Sequence, residues 1–328
     1  MKQYNTFGID VRARYFSEFT SVELLEELLQ EKKSDQLLVL GGGSNVLLTK
    51  DVDGHVLKNE IKGIEQWNLD DEEVLVTAGA GENWHGLVEY CLDNNLGGIE
   101  NLALIPGSTG AAPMQNIGAY GVELRDVFHS LEAYDRHEKK IVEFSAADCG
   151  FGYRESVFKN KYRERFIILL VTLRLSTKHQ LNVSYGAIRQ ELEKMKVTEP
   201  TIQDVAAAVI QIRRSKLPDP AVTGNAGSFF KNPLIGKNDF DSLKRLYPDI
   251  VGFPNDGSKV KLAAGWLIEQ CGWKGYRRGE AGCHASQALV LVNYGGASGA
   301  EIYQLSEEIK ISVREKFGVE LEREVNIL

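Results

Sequence analysis

The chain has 328 residues, 43% of them hydrophobic and 26% charged, which is typical of a folded globular protein. Its net charge of −8 argues against nucleic acid as a main partner, because proteins that bind a phosphate backbone usually present a basic surface. Four cysteines without a C-x-x-C pair indicate a reducing compartment and argue against a metal site. The first residues lack a signal-peptide pattern, and the longest apolar run, 166–171, is too short to span a bilayer, so we expect a soluble cytoplasmic protein.

The N-terminal half mixes helix and strand patterns without a regular βαβ order. Thr20-Ser-Val-Glu23 is typical of a capping box and precedes leucines at helical spacing. Residues 37–40 predict a buried strand that continues directly into Gly41-Gly-Gly-Ser-Asn45, and a helix is predicted from Trp84 onwards. Residues 97–121 contain six glycines and little periodicity, and a loop of this length inside a compact domain is usually functional.

The C-terminal half begins with the strongest strand signal of the chain. The apolar run 166–175 predicts a central strand, and apolar residues from Ile202 to Ile210 predict an amphipathic helix. Pro218 and Pro220 then predict an extended segment, where a domain junction is plausible. Beyond it the sequence predicts a loop, an apolar helix, a strand and a capped helix, at 224–233, 260–271, 288–292 and 298–318.

Two glycine-rich loops are candidates for binding a pyrophosphate. A Rossmann site is excluded because Gly79-x-Gly81 has Trp84 where the third glycine should stand. In 41–45 and 105–110, consecutive Gly and Ser residues allow successive backbone N–H groups to point into one concavity. The alternative is that each loop is only a tight turn, and the residues alone do not decide between the two interpretations.

Two polar residues lie where chemistry is possible. Ser228 follows small residues, which allow a substrate to approach, and precedes Phe229 and Phe230, which would anchor the loop. A turn with a solvent-facing serine is an equal alternative. For Glu324, in the alternating C-terminal tail, a solvated strand face is the default interpretation.

Taken in order, these segments resemble the UDP-N-acetylenolpyruvoylglucosamine reductase family, from Asn5 nearly to the C-terminus. Ser184-Tyr-Gly186 resembles the substrate-covering loop of the longer family form. The other segments that carry the resemblance are 41–47, 78–84, 104–107, 115–123, 149–154, 216–220, 224–233 and 261–268.

The resemblance implies an α+β fold with an FAD-binding domain of the vanillyl-alcohol-oxidase (PCMH) type in two lobes, residues 1–177. A C-terminal α+β substrate-binding domain, 178–328, would follow, and its last strand either stays there or returns to the FAD domain. Because the loop 105–121 contains no His, we expect FAD to be bound non-covalently. The implied FAD contacts are Gly41, Gly42, Gly43, Ser44, Asn45, Pro106, Gly107, Ser108, Gly110, Asn116, Gly118, Tyr120, Gly121 and Arg213.

The implied reaction is the NADPH-driven reduction of the enolpyruvyl group of UDP-N-acetylglucosamine enolpyruvate to UDP-N-acetylmuramate, a step of peptidoglycan synthesis. FAD would carry the hydride from NADPH to the substrate. By resemblance Arg154 stabilises the substrate carboxylate as charge develops, Glu324 shares that task, and Ser228 donates the proton. Burial would raise the pKa of Glu324 and Arg154 would lower it, and the sequence leaves open which effect is larger.

The resemblance also implies contacts to the UDP-sugar. Lys216 and Lys274 would supply cations for the diphosphate of the substrate. Phe253 stands where the family form has Tyr beside a proline, so one substrate hydrogen bond is in doubt. The full set of implied substrate contacts is Tyr185, Lys216, Asn232, Phe253, Lys274 and Gln287.

Two other functions remain as alternatives. One is a related flavoenzyme that oxidises a small alcohol, and the other is an inactive sensor of nucleotide sugars. The intact set of Arg154, Ser228 and Glu324 argues against the sensor. We expect a monomer with no nucleic-acid or membrane partner.

Overall fold

The structure is a computed structural model that describes residues 1–255 and 257–328. These residues form two compact units. The N-terminal unit consists of Ala13–Gly42 and Asp53–Ser215, and the C-terminal unit consists of Met1–Arg12, Gly43–Val52 and Lys216–Leu328. Each unit has a hydrophobic core of its own.

Helices and strands occur in both units. The helices are α1 (Val22–Glu31), α2 (Trp84–Asp93), α3 (Ala146–Cys149), α4 (Gly186–Lys194), α5 (Ile202–Lys216), α6 (Lys237–Leu246), α7 (Ala264–Gln270) and α8 (Gly299–Phe317). The strands are β1 (Ala13–Phe19), β2 (Leu37–Leu40), β3 (Val46–Leu47), β4 (Val52–Asn59), β5 (Ile64–Asn68), β6 (Glu73–Gly79), β7 (Gly118–Ala119), β8 (Val122–Glu123), β9 (Phe128–Asp135), β10 (Lys140–Ser145), β11 (Phe166–Ser176), β12 (Gly224–Ser228), β13 (Leu234–Gly236), β14 (Gly252–Asn255), β15 (Lys259–Leu262), β16 (Arg277–Arg278), β17 (Ala281–Cys283), β18 (Val290–Asn293) and β19 (Asn326–Ile327).

A five-stranded antiparallel sheet forms the centre of the N-terminal unit, in the order β10-β9-β11-β6-β5. Its middle strand, β11, comes from the apolar run 166–175. Val171 and Leu173 of this strand are fully buried, as a short continuous apolar run in a core predicts. The prediction of a central strand is confirmed.

A smaller sheet of the N-terminal unit has the order β1-β4-β2, with β2 parallel to β4. Helix α1 covers it, and the fully buried Leu25 packs in one cluster with Phe19 and Leu57. Strand β2 ends at Leu40, so the glycine run that starts at Gly41 begins where this sheet ends.

Helix α1 has a different N-cap from the predicted one. The hydroxyl of Ser21 accepts a hydrogen bond from the N–H of Leu24 at 3.3 Å. The capping box predicted from Thr20 to Glu23 is therefore wrong by one residue. Thr and Ser stand side by side, and both carry a hydroxyl that can cap, so the local sequence does not distinguish them.

Helix α4 and all of α5 except its last residue, Lys216, belong to the N-terminal unit, although the predicted domain boundary lies between residues 177 and 178. Ile188 of α4 and Val209 of α5 are fully buried in the core that also contains Val171. The compact units therefore change between Ser215 and Lys216, just before the two prolines. The assignment of segments to functional domains stays a prediction.

Two antiparallel sheets lie in the C-terminal unit, in the orders β12-β18-β17-β16 and β13-β15-β14. Strand β12, Gly224–Ser228, occupies part of the segment predicted as a loop, and it pairs with β18 through a register shift between Asn225 and Ser228. The loop prediction was wrong for these residues. Glycines and other small polar residues do not show the alternation that identifies a strand.

The apolar segment 260–271 forms two elements instead of the one predicted helix. Strand β15 continues to Leu262, and helix α7 begins at Ala264. Short apolar runs fit a buried strand and a buried helix equally well, which explains the difference.

The C-terminal helix α8 is capped as predicted. The Ser298 hydroxyl accepts from the N–H of Glu301 at 3.3 Å, and the Glu301 carboxylate accepts from the N–H of Ser298 at 2.7 Å. The helix ends at Gly318, whose φ of 67° is the left-handed conformation of a helix C-cap. The chain then returns to β3, because Asn326 of β19 pairs in parallel with Val46.

Sheets that are mostly antiparallel, with helices in separate segments, confirm the predicted α+β class. Within residues 1–255 and 257–328, no helix is both long and apolar enough to cross a membrane.

Candidate active site

The two glycine-rich loops meet in the N-terminal unit. A Cβ atom added to Gly41 would lie 2.2 Å from the Oγ of Ser108, and one added to Gly42 would lie 2.7 Å from the Cα of Gly107. The N–H of Gly42 donates to the Oγ of Ser108 at 3.3 Å. Only glycine permits this approach of two backbones, so the loops form one surface of main chain.

In the second loop, the N–H groups of Thr109 and Gly110 donate hydrogen bonds to backbone carbonyls and are not available to a ligand. The N–H of Thr109 donates to the carbonyl of Glu82 at 2.8 Å, and the N–H of Gly110 to that of Ala80 at 2.9 Å. The hydroxyl of Thr109 is fully buried and lacks a hydrogen-bond partner within the described residues. A polar atom of a bound cofactor can supply the missing hydrogen-bond partner of this hydroxyl. The second loop therefore fits a ligand that binds at the surface formed with Gly41 and Gly42.

Asn116 fixes the loop that follows. It has a left-handed φ of 43°, and its side-chain amide donates to the Oε2 of Glu123 and to the carbonyl of Gly152, both at 3.0 Å. Its Oδ1 accepts from the N–H of Arg125 at 3.0 Å. The amide of Asn116 is thus engaged within the protein, and its predicted contact with FAD stays a prediction.

Residues 118–123 form a β-hairpin, β7 and β8, with Tyr120 and Gly121 at its turn. Both turn residues have positive φ, 51° and 85°, as a two-residue type I′ turn requires. The ring of Tyr120 packs edge-on against that of Tyr185, with 5.3 Å between the centroids.

Arg154 lies against the same hairpin. Its Nη2 donates to the carbonyl of Gly118 at 2.6 Å, and its Nη1 to that of Asn116 at 3.5 Å. A Cβ atom on Gly118 would lie 3.1 Å from the Nη1 of Arg154, so the glycine allows the guanidinium to reach the loop.

Arg213, on α5, is the second cation of this region. Its Nε donates to the carbonyl of Leu104 at 3.2 Å. Burial lowers the pKa of the Arg213 guanidinium, the charge of Arg154 lowers it further, and Tyr120 opposes both effects. The N-terminal unit therefore gathers two predicted cofactor residues, Tyr120 and Arg213, with the predicted catalytic Arg154 and the predicted substrate residue Tyr185.

Ser228 and Glu324 belong to the C-terminal unit, where one residue links them. Ser228 ends β12 and precedes Phe229, which is fully buried and packs against Phe230 with 5.3 Å between ring centroids. The carbonyl of Phe229 accepts from the N–H of Glu324 at 2.9 Å. The phenylalanine pair thus anchors the serine segment, and the backbones of the two predicted catalytic segments are joined.

Glu324 is half-buried, not fully solvated as the default interpretation had it. Its carbonyl accepts from the side chain of Asn45 at 3.2 Å, and the N–H of Asn326 donates to the carbonyl of Asn45 at 3.1 Å. The C-terminal tail therefore lies beside the end of the first glycine-rich loop, whose Gly43 packs within the same unit against Tyr4.

Two of the predicted substrate residues meet at the start of α7. The Oδ1 of Asn232 accepts from the N–H of Ala264 at 2.9 Å, and a Cβ on Gly265 would lie 3.0 Å from the Oε1 of Gln287. The remaining ones are more exposed: Lys274 pairs with Glu269 at 2.9 Å, Phe253 lies on β14, and Lys216 ends α5.

Sequence reasoning missed two buried polar residues of the N-terminal unit, Thr109 and Asn101. Asn101 is completely buried, and its amide donates to the carbonyls of Tyr120 at 3.0 Å and Asn182 at 2.9 Å. Its signal was a pair of polar residues, Glu100 and Asn101, inside the otherwise apolar stretch 99–105, where buried polar groups call for hydrogen-bonded roles.

Comparison with known proteins gives one consistent family. The model of the C-terminal domain of UDP-N-acetylenolpyruvoylglucosamine reductase matches residues 219–328, and an FAD-binding domain model matches residues 14–145. UDP-N-acetylenolpyruvoylglucosamine reductases of Pseudomonas syringae pv. syringae and Flavobacterium johnsoniae are 52% and 49% identical over the whole chain, which covers 97% and 98% of those proteins. The crystal structure of the Thermus caldophilus enzyme, 25% identical, aligns over 99% of this chain and 96% of its own with a TM-score of 0.68.

Proposed function

The chain belongs to the UDP-N-acetylenolpyruvoylglucosamine reductase family, and from this membership we propose a complete reaction and the residues that carry it out. The protein is a flavin-dependent oxidoreductase of peptidoglycan precursor synthesis, a UDP-N-acetylmuramate dehydrogenase. The proposal is that NADPH reduces the enolpyruvyl group of UDP-N-acetylglucosamine enolpyruvate to give UDP-N-acetylmuramate. The full-length similarity to reductases of this substrate carries the proposal.

FAD is proposed to bind non-covalently. In the N-terminal unit, the contact between Gly42 and Ser108 and the buried hydroxyl of Thr109 support a cofactor held by main chain and hydroxyl groups. Bound FAD would supply the hydride that NADPH donates. The proposed contacts are Gly41, Gly42, Gly43, Ser44, Asn45, Pro106, Gly107, Ser108, Gly110, Asn116, Gly118, Tyr120, Gly121 and Arg213.

Arg154 is proposed to bind the carboxylate of the enolpyruvyl group. Hydride delivery to the terminal CH₂ places negative charge on that carboxylate, and a guanidinium fork stabilises it with two charge-assisted hydrogen bonds. The carbonyls of Gly118 and Asn116 already orient the Arg154 side chain, which reduces the ordering needed on binding.

Ser228 is proposed to protonate the carbon next to the carboxylate, and Glu324 to assist in stabilising the enolate. A hydroxyl is a weak acid, but the enolate is a strong base and the transfer distance is short in a closed site. The buried Phe229 supports this role, because it fixes the serine segment and holds the backbone of Glu324.

The UDP-sugar is proposed to contact Tyr185, Lys216, Asn232, Phe253, Lys274 and Gln287. Asn232 and Gln287 both lie beside the first turn of α7, which supports their assignment to one part of the substrate site. A monomer located in the cytoplasm is part of the same proposal.

The test separates the two halves of the reaction. Purified protein should show the visible spectrum of an oxidised flavin, anaerobic NADPH should abolish it, and the enolpyruvyl sugar should restore it. In Ser228→Ala, reduction by NADPH should be unchanged, whereas reoxidation by substrate should slow by roughly 10²- to 10⁴-fold because the proton donor is lost. The exposed Ser258→Ala is the matched control and should leave both halves unchanged.

Three other outcomes would contradict parts of the proposal. Equal slowing of both halves in Ser228→Ala would remove the serine as proton donor. Rapid reoxidation in air without any response to the enolpyruvyl sugar would favour an alcohol-oxidising flavoenzyme. Colourless protein that binds the sugar would favour a sensor.

A further inference from the structure

The first turn of α2 holds the segment that leads into the second glycine-rich loop. Trp84 is fully buried there, its N–H donates to the carbonyl of Gly107 at 3.0 Å, and its indole Nε1 donates to the carbonyl of Leu102 at 3.0 Å. The Nδ1 of the next residue, His85, accepts from the N–H of Leu104 at 3.1 Å. Two adjacent helix residues therefore hold this segment at three positions.

Leu104 has a backbone conformation that leucine rarely adopts. Its φ is 59°, in the left-handed region where the Cβ atom of an L-residue is crowded by its own backbone. Such a conformation persists where surrounding contacts determine it. These contacts lie on both sides of Leu104, since its N–H donates to His85 and its carbonyl accepts from the Nε of Arg213 at 3.2 Å. Leu104 is thus the backbone link between the two side chains.

The bond to Leu104 leaves most of the Arg213 guanidinium available to a ligand. Only Nε donates to the protein, and both Nη groups lack an acceptor among residues 1–255 and 257–328. Burial lowers the pKa of Arg213, as expected of a cation that no carboxylate pairs with in the described part of the chain. The two Nη groups therefore fit polar acceptor atoms of a bound molecule, and the carbonyl of Leu104 helps to set the direction in which they point.

The role of His85 depends on one ring nitrogen. Because the N–H of Leu104 donates to Nδ1, this nitrogen acts as an acceptor and carries no proton. The other nitrogen, Nε2, lies 3.7 Å from the Oε1 of Glu89, whose side chain is mostly exposed. A substitution that keeps an acceptor near the position of Nδ1 should therefore preserve the function of the ring, and one that removes this acceptor should not.

We propose that His85 is a positioning residue for Arg213. By accepting the N–H of Leu104, it holds this leucine in its left-handed conformation, and the Leu104 carbonyl in turn orients the guanidinium of Arg213 towards FAD. The inference rests on the proposed function, in which Arg213 contacts FAD. His85 acts through Arg213 and contributes to FAD affinity, because a guanidinium that is already oriented needs less ordering when the cofactor binds.

The test measures the affinity of the full-length protein for FAD. FAD is removed from the purified protein and titrated back, and binding is followed by flavin fluorescence. His85→Leu keeps an apolar side chain in the same place but removes the acceptor, so the Kd for FAD should rise about tenfold, the effect of losing one hydrogen bond that orders the site. His85→Asn, whose Oδ1 can occupy the position of Nδ1, should bind FAD as wild type does.

The matched control is His179→Leu. His179 belongs to the same unit, and its Nε2 forms a hydrogen bond with the carbonyl of Asn95 at 3.0 Å. Its replacement should leave the Kd for FAD unchanged. A wild-type Kd in His85→Leu, or an equal loss of affinity in His85→Asn, would overturn the proposal.

A double variant separates positioning from a general structural role. If His85 acts through Arg213, adding His85→Leu to Arg213→Ala should change the Kd for FAD little, so the two effects should not multiply. Effects that multiply in the double variant would show that His85 supports FAD binding by another route.

Hydrogen exchange gives a readout that does not depend on the cofactor. The amide of Leu104 should exchange faster in His85→Leu than in wild type and at the wild-type rate in His85→Asn, whereas equal rates in all three proteins would overturn the proposal. If wild-type protein binds FAD but fails to reduce the enolpyruvyl sugar, the proposed reaction fails, and the FAD titration and the exchange rates still decide the role of His85.

Discussion

The buried Asp135 forms an ion pair with the partly exposed Arg165 at one end of the central sheet of the N-terminal unit. Asp135 is 1% exposed, and the shortest of its three hydrogen bonds from Arg165 joins Nη2 and Oδ2 at 2.6 Å. The N–H groups of His137 and Glu138 donate to the same carboxylate. The hydrogen bonds from Arg165 lower the pKa of Asp135 to about 2, against the opposing effect of burial.

Asp135→Asn should destabilise the protein by roughly 2 kcal/mol near neutral pH, because it leaves the Arg165 guanidinium without its charged partner. A carboxyl whose pKa falls from 3.8 when unfolded to about 2 when folded stabilises the fold above about pH 4. This contribution is lost as the pH falls from about 4 to about 2. Urea unfolding of the wild type and of Asp135→Asn should show a difference in the free energy of unfolding that becomes smaller as the pH falls from about 4 to about 2.

The control is Asp53→Asn, which removes an ion pair to Arg14 in which both side chains are mostly exposed. It should change the free energy of unfolding by no more than about 0.5 kcal/mol. A loss of stability in Asp135→Asn that stays constant down to the lowest pH would show that the charge of the carboxylate is not its cause.

Backbone conformation at the candidate site was the feature hardest to predict from single residues. Asn116, Tyr120 and Arg154 all have positive φ, between 43° and 56°. Such conformations are costly for side chains other than glycine and persist where surrounding contacts determine them. The contact of Arg154 with Gly118 is one such constraint, and it joins residues that are distant in the sequence. Family motifs identified these residues, but their geometry depends on tertiary contacts.

Among the elements, α8 offers a direct test of a cap that was predicted correctly. Ser298→Ala should lower the free energy of unfolding by about 1 kcal/mol, because the N–H of Glu301 loses its acceptor at the first turn. Ser242→Ala in α6 is the matched control, since the Ser242 hydroxyl donates back to the carbonyl of Asn238 and alanine is the better helix former. Thermal unfolding measures both variants, and equal effects would contradict the capping role.

Elements with a strong pattern of apolar side chains were predicted well. Strands that are defined only by their pairing with another strand were not. Helix α8 and strand β11 have long apolar patterns, and both are confirmed. Strand β12 consists of Gly, Asn, Ala, Gly and Ser, so only its pairing with β18 makes it a strand. The same limit applies to the site, because motifs identified Ser228 but not that the neighbouring Phe229 would join it to the C-terminal tail.

At the scale of the whole molecule, the compact units follow contacts that are remote in sequence. Parallel pairing of Val46 with Asn326 joins segments 280 residues apart, and the side chain of Asn293 donates to the carbonyl of Phe7 at 2.9 Å. A local sequence pattern does not predict such pairings, because the two segments come together only in the folded chain. The predicted boundary after residue 177 came from the family resemblance, and it stays a prediction for the functional domains.

These remote segments predict that residues 216–328 will not fold alone, although they include the matched C-terminal domain. The fragment would lack Phe7, Ile9, Leu47 and Leu48, all of which are buried in its core. At about 1.5–3 kcal/mol for each buried side chain, the loss is roughly 6–12 kcal/mol, comparable to the entire stability of a typical domain. The fragment should therefore lack a cooperative unfolding transition by circular dichroism, whereas the full chain has one in the same buffer. A cooperative transition in the fragment would mean that residues 216–328 form a stable core without the N-terminal segments.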